Sequence, residues 1–174
     1  LRRLLGSEKA ISLSNGRVTL DNRYCWVDIW AFERILGKAD EALKNDKTEK
    51  AIPLMERAVA LYHGPCCADD DSVPIMEAFR ERLKRKFIKY VKELCRLYEE
   101  RGEFEKTIDP LEKGIETEPS AEELYQHLML CHRKLGQRAE AMAVYQRLKR
   151  TFSAIPDFEP SPETKEIYKS LTSE

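Results

Sequence analysis

The 174-residue sequence contains no hydrophobic run that approaches the roughly 18 residues needed to cross a bilayer. It also lacks an excess of charge, because 30 lysines and arginines stand against 31 aspartates and glutamates, for a formal net charge of −1. Without an overall positive field, any attraction to nucleic acid must be local. Residues 1–10 contain no hydrophobic signal core either. We therefore expect a cytoplasmic protein that does not contact a membrane.

Glycine is scarce, and the sequence motifs of common enzymes are missing. Only seven glycines are available to build phosphate-binding turns. The sequence has no P-loop, no dinucleotide-binding fingerprint, no G-x-S-x-G elbow and no H-E-x-x-H motif. We therefore predict no catalytic residues, no cofactor and no enzymatic activity.

The five cysteines are an odd number without C-x-x-C spacing, so we expect reduced thiols rather than disulfides. They are Cys25, Cys66, Cys67, Cys95 and Cys131. The loop after His63 combines Cys66-Cys67 with Asp69 to Asp71, but adjacent cysteines cannot easily share one tetrahedral ion. His127 and Cys131 lie one helical turn apart and form at best half a site. We therefore predict no bound metal.

The first part of the chain predicts a β-hairpin, and the remainder predicts helices. Apolar residues alternate over 11–20 on either side of Asn15-Gly16, the pair that best fits a type I′ turn. Residues 1–6 have the spacing of a helix end, with Gly6 as its C′ residue. From Val27 onward the apolar period is helical. The predicted helices lie near residues 28–44, 48–62, 74–101, 104–117, 121–135, 138–153 and 162–171, with a loop over 63–73.

A repeat of 34 residues separates Gly102 from Gly136, and each glycine ends a predicted helix. Units starting at Ile88 and Glu122 place large and small residues at the same offsets, as closely stacked helix pairs require. The small residues are Cys95, Thr107, Gly114 and Ala141. A weaker copy starts at Phe32, and about 22 residues then interrupt the array. The predicted fold is mostly α: tetratricopeptide-like antiparallel helix pairs form a short right-handed solenoid, with an N-terminal β-hairpin.

Several segments together resemble one known family. They are residues 27–33, 60–65, 80–83, 122–129 and 159–164. In this order they resemble the bacterial transcriptional activator domain, which follows winged-helix domains in antibiotic-pathway regulators and similar activators. Residues 1–6 and the hairpin resemble the recognition-helix end and wing of an OmpR-type winged helix. The resemblance implies a division into 1–26 and 27–174. Cys66-Cys67 depart from the family, which usually has an aromatic and an aliphatic residue there.

The resemblance implies the regulatory and protein-interaction part of a DNA-binding transcriptional regulator. The helical domain would mediate self-association, with a homodimer as one form, or contact other domains or protein partners. DNA would be bound by the winged helix of the full-length protein. The alternative is a general tetratricopeptide adaptor whose hairpin has no DNA role. The sequence before Leu1 would distinguish the two, since only a regulator has a winged-helix domain there.

Two sets of candidate binding residues follow. The end of a recognition helix lies beside the DNA backbone and a wing reaches the neighbouring minor groove, so phosphate contacts are expected from Arg2, Arg3 and Arg17. In tetratricopeptide arrays the first helix of each pair lines a concave groove. The matching offsets here are Lys89, Lys92, Arg96, Gln126, Leu130 and Arg133. This charge suits an acidic or carboxylate-ended peptide. The alternative for both sets is ordinary solvated side chains.

Overall fold

A computed structural model of the chain describes residues 5–65, 74–154 and 159–172. The hairpin consists of β1 (Ile11–Ser14) and β2 (Arg17–Leu20). The helices are α1 (Asp28–Lys44), α2 (Thr48–Leu61), α3 (Pro74–Glu100), α4 (Ile108–Thr117), α5 (Glu122–Lys134), α6 (Arg138–Ser153) and α7 (Pro162–Thr172). Consecutive helices pack as pairs, which confirms the predicted mostly α, tetratricopeptide-like class with a hairpin. None of these helices is long and apolar enough to span a membrane.

The hairpin turns at Asn15 and Gly16, whose φ angles of 51° and 73° are those of the predicted type I′ turn. The strands pair antiparallel, and Leu13 lies opposite Val18. Both of these apolar side chains are 66% exposed, so the helices leave this pair uncovered. Gly6 has the positive φ of 69° expected of a C′ residue, although the helix predicted before it falls on 1–4, outside the described residues.

Three helices end in the same Schellman geometry. Gly102 and Gly136 end α3 and α5 with φ angles of 72° and 73°. In α3 the next residue, Glu103, donates its N–H to the Tyr98 carbonyl at 2.9 Å. In α1 the residue with positive φ is Asp46, at 56°, and Lys47 donates its N–H to the Ala42 carbonyl at 2.9 Å. Asp46 and Gly102 are 56 positions apart, which is 22 more than one repeat and equals the predicted interruption.

The segment that was predicted as one helix over 104–117 begins instead with a 3₁₀ turn at Phe104–Thr107, and α4 follows it. Pro110 explains the difference. It has no N–H to donate to the carbonyl four residues earlier, and its ring crowds that carbonyl. The first turn therefore tightens, and the second helix of this pair is shorter than predicted.

The predicted small positions lie where helices approach each other closely. A Cβ added to Gly114 in α4 would come within 2.7 Å of Leu124 Cδ1 in α5. Cys95, Thr107 and Ala141 are completely buried. Side-chain volume at these positions therefore sets the spacing of the helices from α3 to α6.

Helix α3 packs against both the first helix pair and α4. Its Phe87 ring stacks on Tyr62, just after α2, at 4.3 Å between ring centroids. Tyr62 in turn contacts Phe32 of α1 at 5.6 Å. Further along α3, the Tyr90 hydroxyl donates to Asp40 Oδ2 of α1 at 2.6 Å. Both halves of α3 thus contact the first helix pair, and its second half also packs against α4.

Candidate protein-interaction groove

A concave groove of about 1010 Å³ runs between α3 and the first turns of α5 and α7. Four of the residues predicted for such a groove line it: Lys89, Lys92, Arg96 and Gln126. Leu130 and Arg133 are not part of its lining and lie further along α5. There, Arg133 Nη1 donates to Ser170 Oγ of α7 at 2.9 Å. Binding of a partner by these six residues remains a prediction.

The last helix, α7, covers the other half of the α5 face. Its buried Thr164 donates to Glu122 Oε1 at 2.5 Å and accepts from Gln126 Nε2 at 2.7 Å. Tyr168 of the same helix stacks on Tyr145 of α6, with 4.0 Å between ring centroids. A segment of the chain itself thus occupies the part of the groove where Leu130 and Arg133 were expected to meet a partner. The half bounded by α3 stays open.

The groove carries both signs of charge, whereas the sequence offsets indicated a basic surface. Five lysines and arginines line it, all on α3: Lys84, Arg85, Lys89, Lys92 and Arg96. Six glutamates line it as well: Glu81, Glu93, Glu99, Glu122, Glu123 and Glu163. Half of these carboxylates face α3 from α5 and α7. Sequence offsets identified the wall with the cations but, on the opposite wall, only Gln126 and none of the glutamates.

Most of these cations are already paired. Lys92 Nζ lies 2.5 Å from Glu123 Oε2, so this ion pair bridges α3 and α5. Arg96 binds Glu93 at 2.6 Å, and its hydrogen bond lowers the pKa of Glu93. Lys89 differs, because it is exposed and no described carboxylate lies within 4.0 Å of its ammonium group. Its Nζ lies 5.2 Å above the Tyr90 ring. Lys89 is therefore the groove cation most available to a bound anion.

A second group of polar side chains lies at the floor of the groove. His127 Nε2 is 2.5 Å from Glu99 Oε1, and Cys131 Sγ donates to the same oxygen at 3.5 Å. Burial raises the pKa of the Cys131 thiol to about 11. The sequence had indicated only the two residues on α5, because Glu99 lies on α3 and joins them only through helix packing.

The remaining predicted sites are only partly described. Arg17 is exposed on β2 next to the hairpin turn, while Arg2 and Arg3 fall outside the described residues. In the loop after α2, His63 Nδ1 lies 2.8 Å from the Leu61 carbonyl. Cys66, Cys67 and Asp69 to Asp71 also fall outside the described residues. The other three cysteines, Cys25, Cys95 and Cys131, are free thiols, as expected.

Comparison with known families decides the identity of the helical part. The family described as bacterial transcriptional activator domain matches residues 27–172. The chain belongs to this family. The chain is 24% identical over 171 residues to the regulatory protein AfsR of Streptomyces griseus. This match covers 98% of the chain and 17% of AfsR. The chain thus spans less than a fifth of the length of that relative.

Solved structures with the same fold include EmbR and a type III secretion chaperone. EmbR of Mycobacterium tuberculosis, solved with a low-affinity phosphopeptide, matches with a TM-score of 0.62 and 19% identity over 99% of this chain and 47% of EmbR. The Yersinia enterocolitica type III secretion chaperone SycD, solved with a peptide of the translocator YopD, matches with a TM-score of 0.52 and 16% identity. That match covers 85% of this chain and 95% of SycD. At these identities the structures show that the activator domain shares their fold.

Proposed function

We propose that this chain is the regulatory and protein-interaction part of a DNA-binding transcriptional regulator. In this proposal the helical domain mediates self-association or contact with another domain or protein, and it has no catalytic role. The observation that carries the proposal is the groove between α3 and α5, which stays open beside α3 although α7 covers the other half of the α5 face. Membership of the activator-domain family supports a regulatory role.

The partner that fits the groove best is a peptide segment with an acidic residue. The exposed ammonium group of Lys89 offers a charge-assisted hydrogen bond to a carboxylate. Glutamates on the opposite wall, such as the exposed Glu163, favour a partner that also carries a basic residue, because complementary charges fix orientation and exclude wrong partners. The peptide complex of SycD supports this use of the fold.

The test reverses one charge in the groove of the full-length protein. Lys89→Glu should weaken self-association or partner binding several-fold, because it places a carboxylate opposite the partner's acid. Lys50→Glu is the matched control, since Lys50 is also exposed but lies on α2, outside the groove. Sedimentation of the full-length protein and its transcriptional output in cells are the measurements. If both variants match the wild type in both measurements, the groove proposal is wrong.

We also propose that residues 1–26 close a winged-helix domain, through which the full-length protein binds DNA in the cytoplasm. The exposed Leu13 and Val18 support this, because an apolar pair on a hairpin suits packing against a further part of the protein. Arg2, Arg3 and Arg17 are the proposed phosphate contacts. The full-length protein should bind its operator tightly, whereas this chain alone should bind weakly. Absence of DNA affinity in the full-length protein would favour the adaptor alternative.

A further inference from the structure

We propose that Glu99, His127 and Cys131 form a three-ligand Zn²⁺ site at the floor of the groove. This inference goes beyond the proposed function and does not depend on it, because metal binding is measurable without any partner. It also departs from the expectation of no bound metal, which at this place took account only of the two residues on α5.

The helices bring three different donor groups to one point. His127 and Cys131 are four residues apart on α5, so their side chains lie on the same face. Glu99 reaches them from α3. The imidazole nitrogen, the thiol sulfur and a carboxylate oxygen all lie within 4.8 Å of one another. Nitrogen, sulfur and oxygen donors together are the set that zinc accepts in proteins.

The distances fit a tetrahedral ion after a small adjustment. With bonds of about 2.0 Å to nitrogen and oxygen and about 2.3 Å to sulfur, neighbouring ligand atoms lie roughly 3.3 to 3.6 Å apart. The sulfur of Cys131 and the oxygen of Glu99 are already 3.5 Å apart. The His127 nitrogen and the same oxygen, now 2.5 Å apart, must separate by about 0.8 Å. A zinc ion that displaces the proton between them would produce that separation, and the Cys131 thiol would release its own proton to solvent on binding the ion as a thiolate.

The site has an entrance and an open coordination position. The His127 and Glu99 side chains are 20% and 31% exposed and line the groove. Cys131 lies beneath them, at 2% exposure. An ion therefore enters from the groove. Three protein ligands leave a fourth position for water, as in other three-ligand zinc sites.

A simple ion pair between His127 and Glu99 is the competing explanation for this cluster, because it also joins α3 to α5. The two explanations differ in their need for sulfur. An ion pair is unaffected by the loss of the Cys131 thiol, whereas a zinc site loses a ligand. Substitution of Cys131 is therefore the deciding change.

The experiment titrates the reduced 174-residue chain with Co²⁺, a spectroscopic substitute for Zn²⁺. We expect a thiolate-to-cobalt absorption band that saturates at one ion per chain and disappears when Zn²⁺ is added. Cys131→Ser should abolish the band. His127→Gln and Glu99→Gln should each weaken Zn²⁺ binding at least tenfold, since loss of even an outer-shell partner costs about 10- to 100-fold.

Two controls test three of the four other thiols, and the fourth, Cys95, is completely buried. Cys25→Ser and the double variant Cys66→Ser/Cys67→Ser should keep the band. Far-ultraviolet circular dichroism checks that each variant is folded, and a zinc-dependent rise in melting temperature gives a second measure. That rise should occur in the wild type and in both controls and vanish in His127→Gln. A wild type without a cobalt band, a band that persists in Cys131→Ser, or a band lost with Cys66 and Cys67 would overturn the proposal.

Discussion

Gly114 allows α4 to approach α5, so its replacement tests whether this contact limits packing. In Gly114→Ala the new methyl group would lie 2.7 Å from Leu124 Cδ1 and 3.5 Å from Val91 Cγ1. The second distance is an ordinary contact, but the first forces Leu124 to move. Leu124 is completely buried, so its movement must be accommodated among the surrounding core side chains.

Two opposing effects set the expected change in the free energy of unfolding. Alanine is favoured over glycine inside a helix by about 1 kcal/mol. Overpacking a filled core costs about 1 to 3 kcal/mol. Gly114→Ala should therefore lower the stability by about 0 to 2 kcal/mol.

Gly37 provides the matched control, because it lies inside α1 and no atom is within 4 Å of its added Cβ. Gly37→Ala should raise the stability by about 1 kcal/mol. The helix preference is common to both variants and cancels between them. Their difference, about 1 to 3 kcal/mol, therefore measures the overpacking at Gly114 alone.

The assay is urea unfolding followed by far-ultraviolet circular dichroism, repeated with Leu124→Ala as the background. Leu124→Ala alone should cost about 2 to 5 kcal/mol. Added to it, Gly114→Ala should become stabilising by up to about 1 kcal/mol, because the opposing methyl group is gone. If Gly114→Ala stabilises the wild type as much as Gly37→Ala does, the close contact does not limit packing.

Two further predictions concern polar contacts. Thr164→Val removes the hydroxyl that joins α7 to Glu122 and Gln126, so the free energy of opening α7 should fall by about 1 to 3 kcal/mol. Amide hydrogen exchange in 162–172 should then be faster. Thr172→Val, at the exposed end of α7, should leave this exchange unchanged. Burial, and then the bond to Asp40, raises the pKa of Tyr90 above its ordinary value, so the native state keeps this proton to a higher pH than the unfolded chain. The resulting stability is complete below about pH 10 and is lost as the pH rises further, so Tyr90→Phe should flatten the fall in melting temperature above that pH; an unchanged slope would contradict this.

Local signals explain why most of the fold was predictable. The bounds of α1 and α6 agree with the predicted 28–44 and 138–153. Both the spacing of apolar residues within a helix and the residues that end it are visible in a short stretch of sequence. The turn that ends α1 was harder to recognise in the sequence than the turns that end α3 and α5. Asp46 occupies the position that glycine takes in the other two helices, and aspartate adopts positive φ less often than glycine.

Contacts between distant segments could not be predicted in the same way. The sequence identified α3 as a groove wall, yet α7 had no feature showing that it folds against α5. The pairing of Lys92 with Glu123 and the meeting of Glu99 with His127 both depend on how α3 and α5 are spaced. That spacing results from small residues such as Gly114. The sequence pattern shows which positions are small, but it does not give the distance between the helices.

Because α3 packs against two helix pairs, it limits where this domain can be divided and joined to a related one. In a regular tandem array each helix pair can be removed or exchanged, since neighbours share only a face. Here α3, about 40 Å long, is the first helix of one pair and also the cover of the preceding pair. A chimaera joined within 62–100 would expose Phe87 or the rings it packs against. An exchange that keeps a folded product should therefore replace α1 to α4 together.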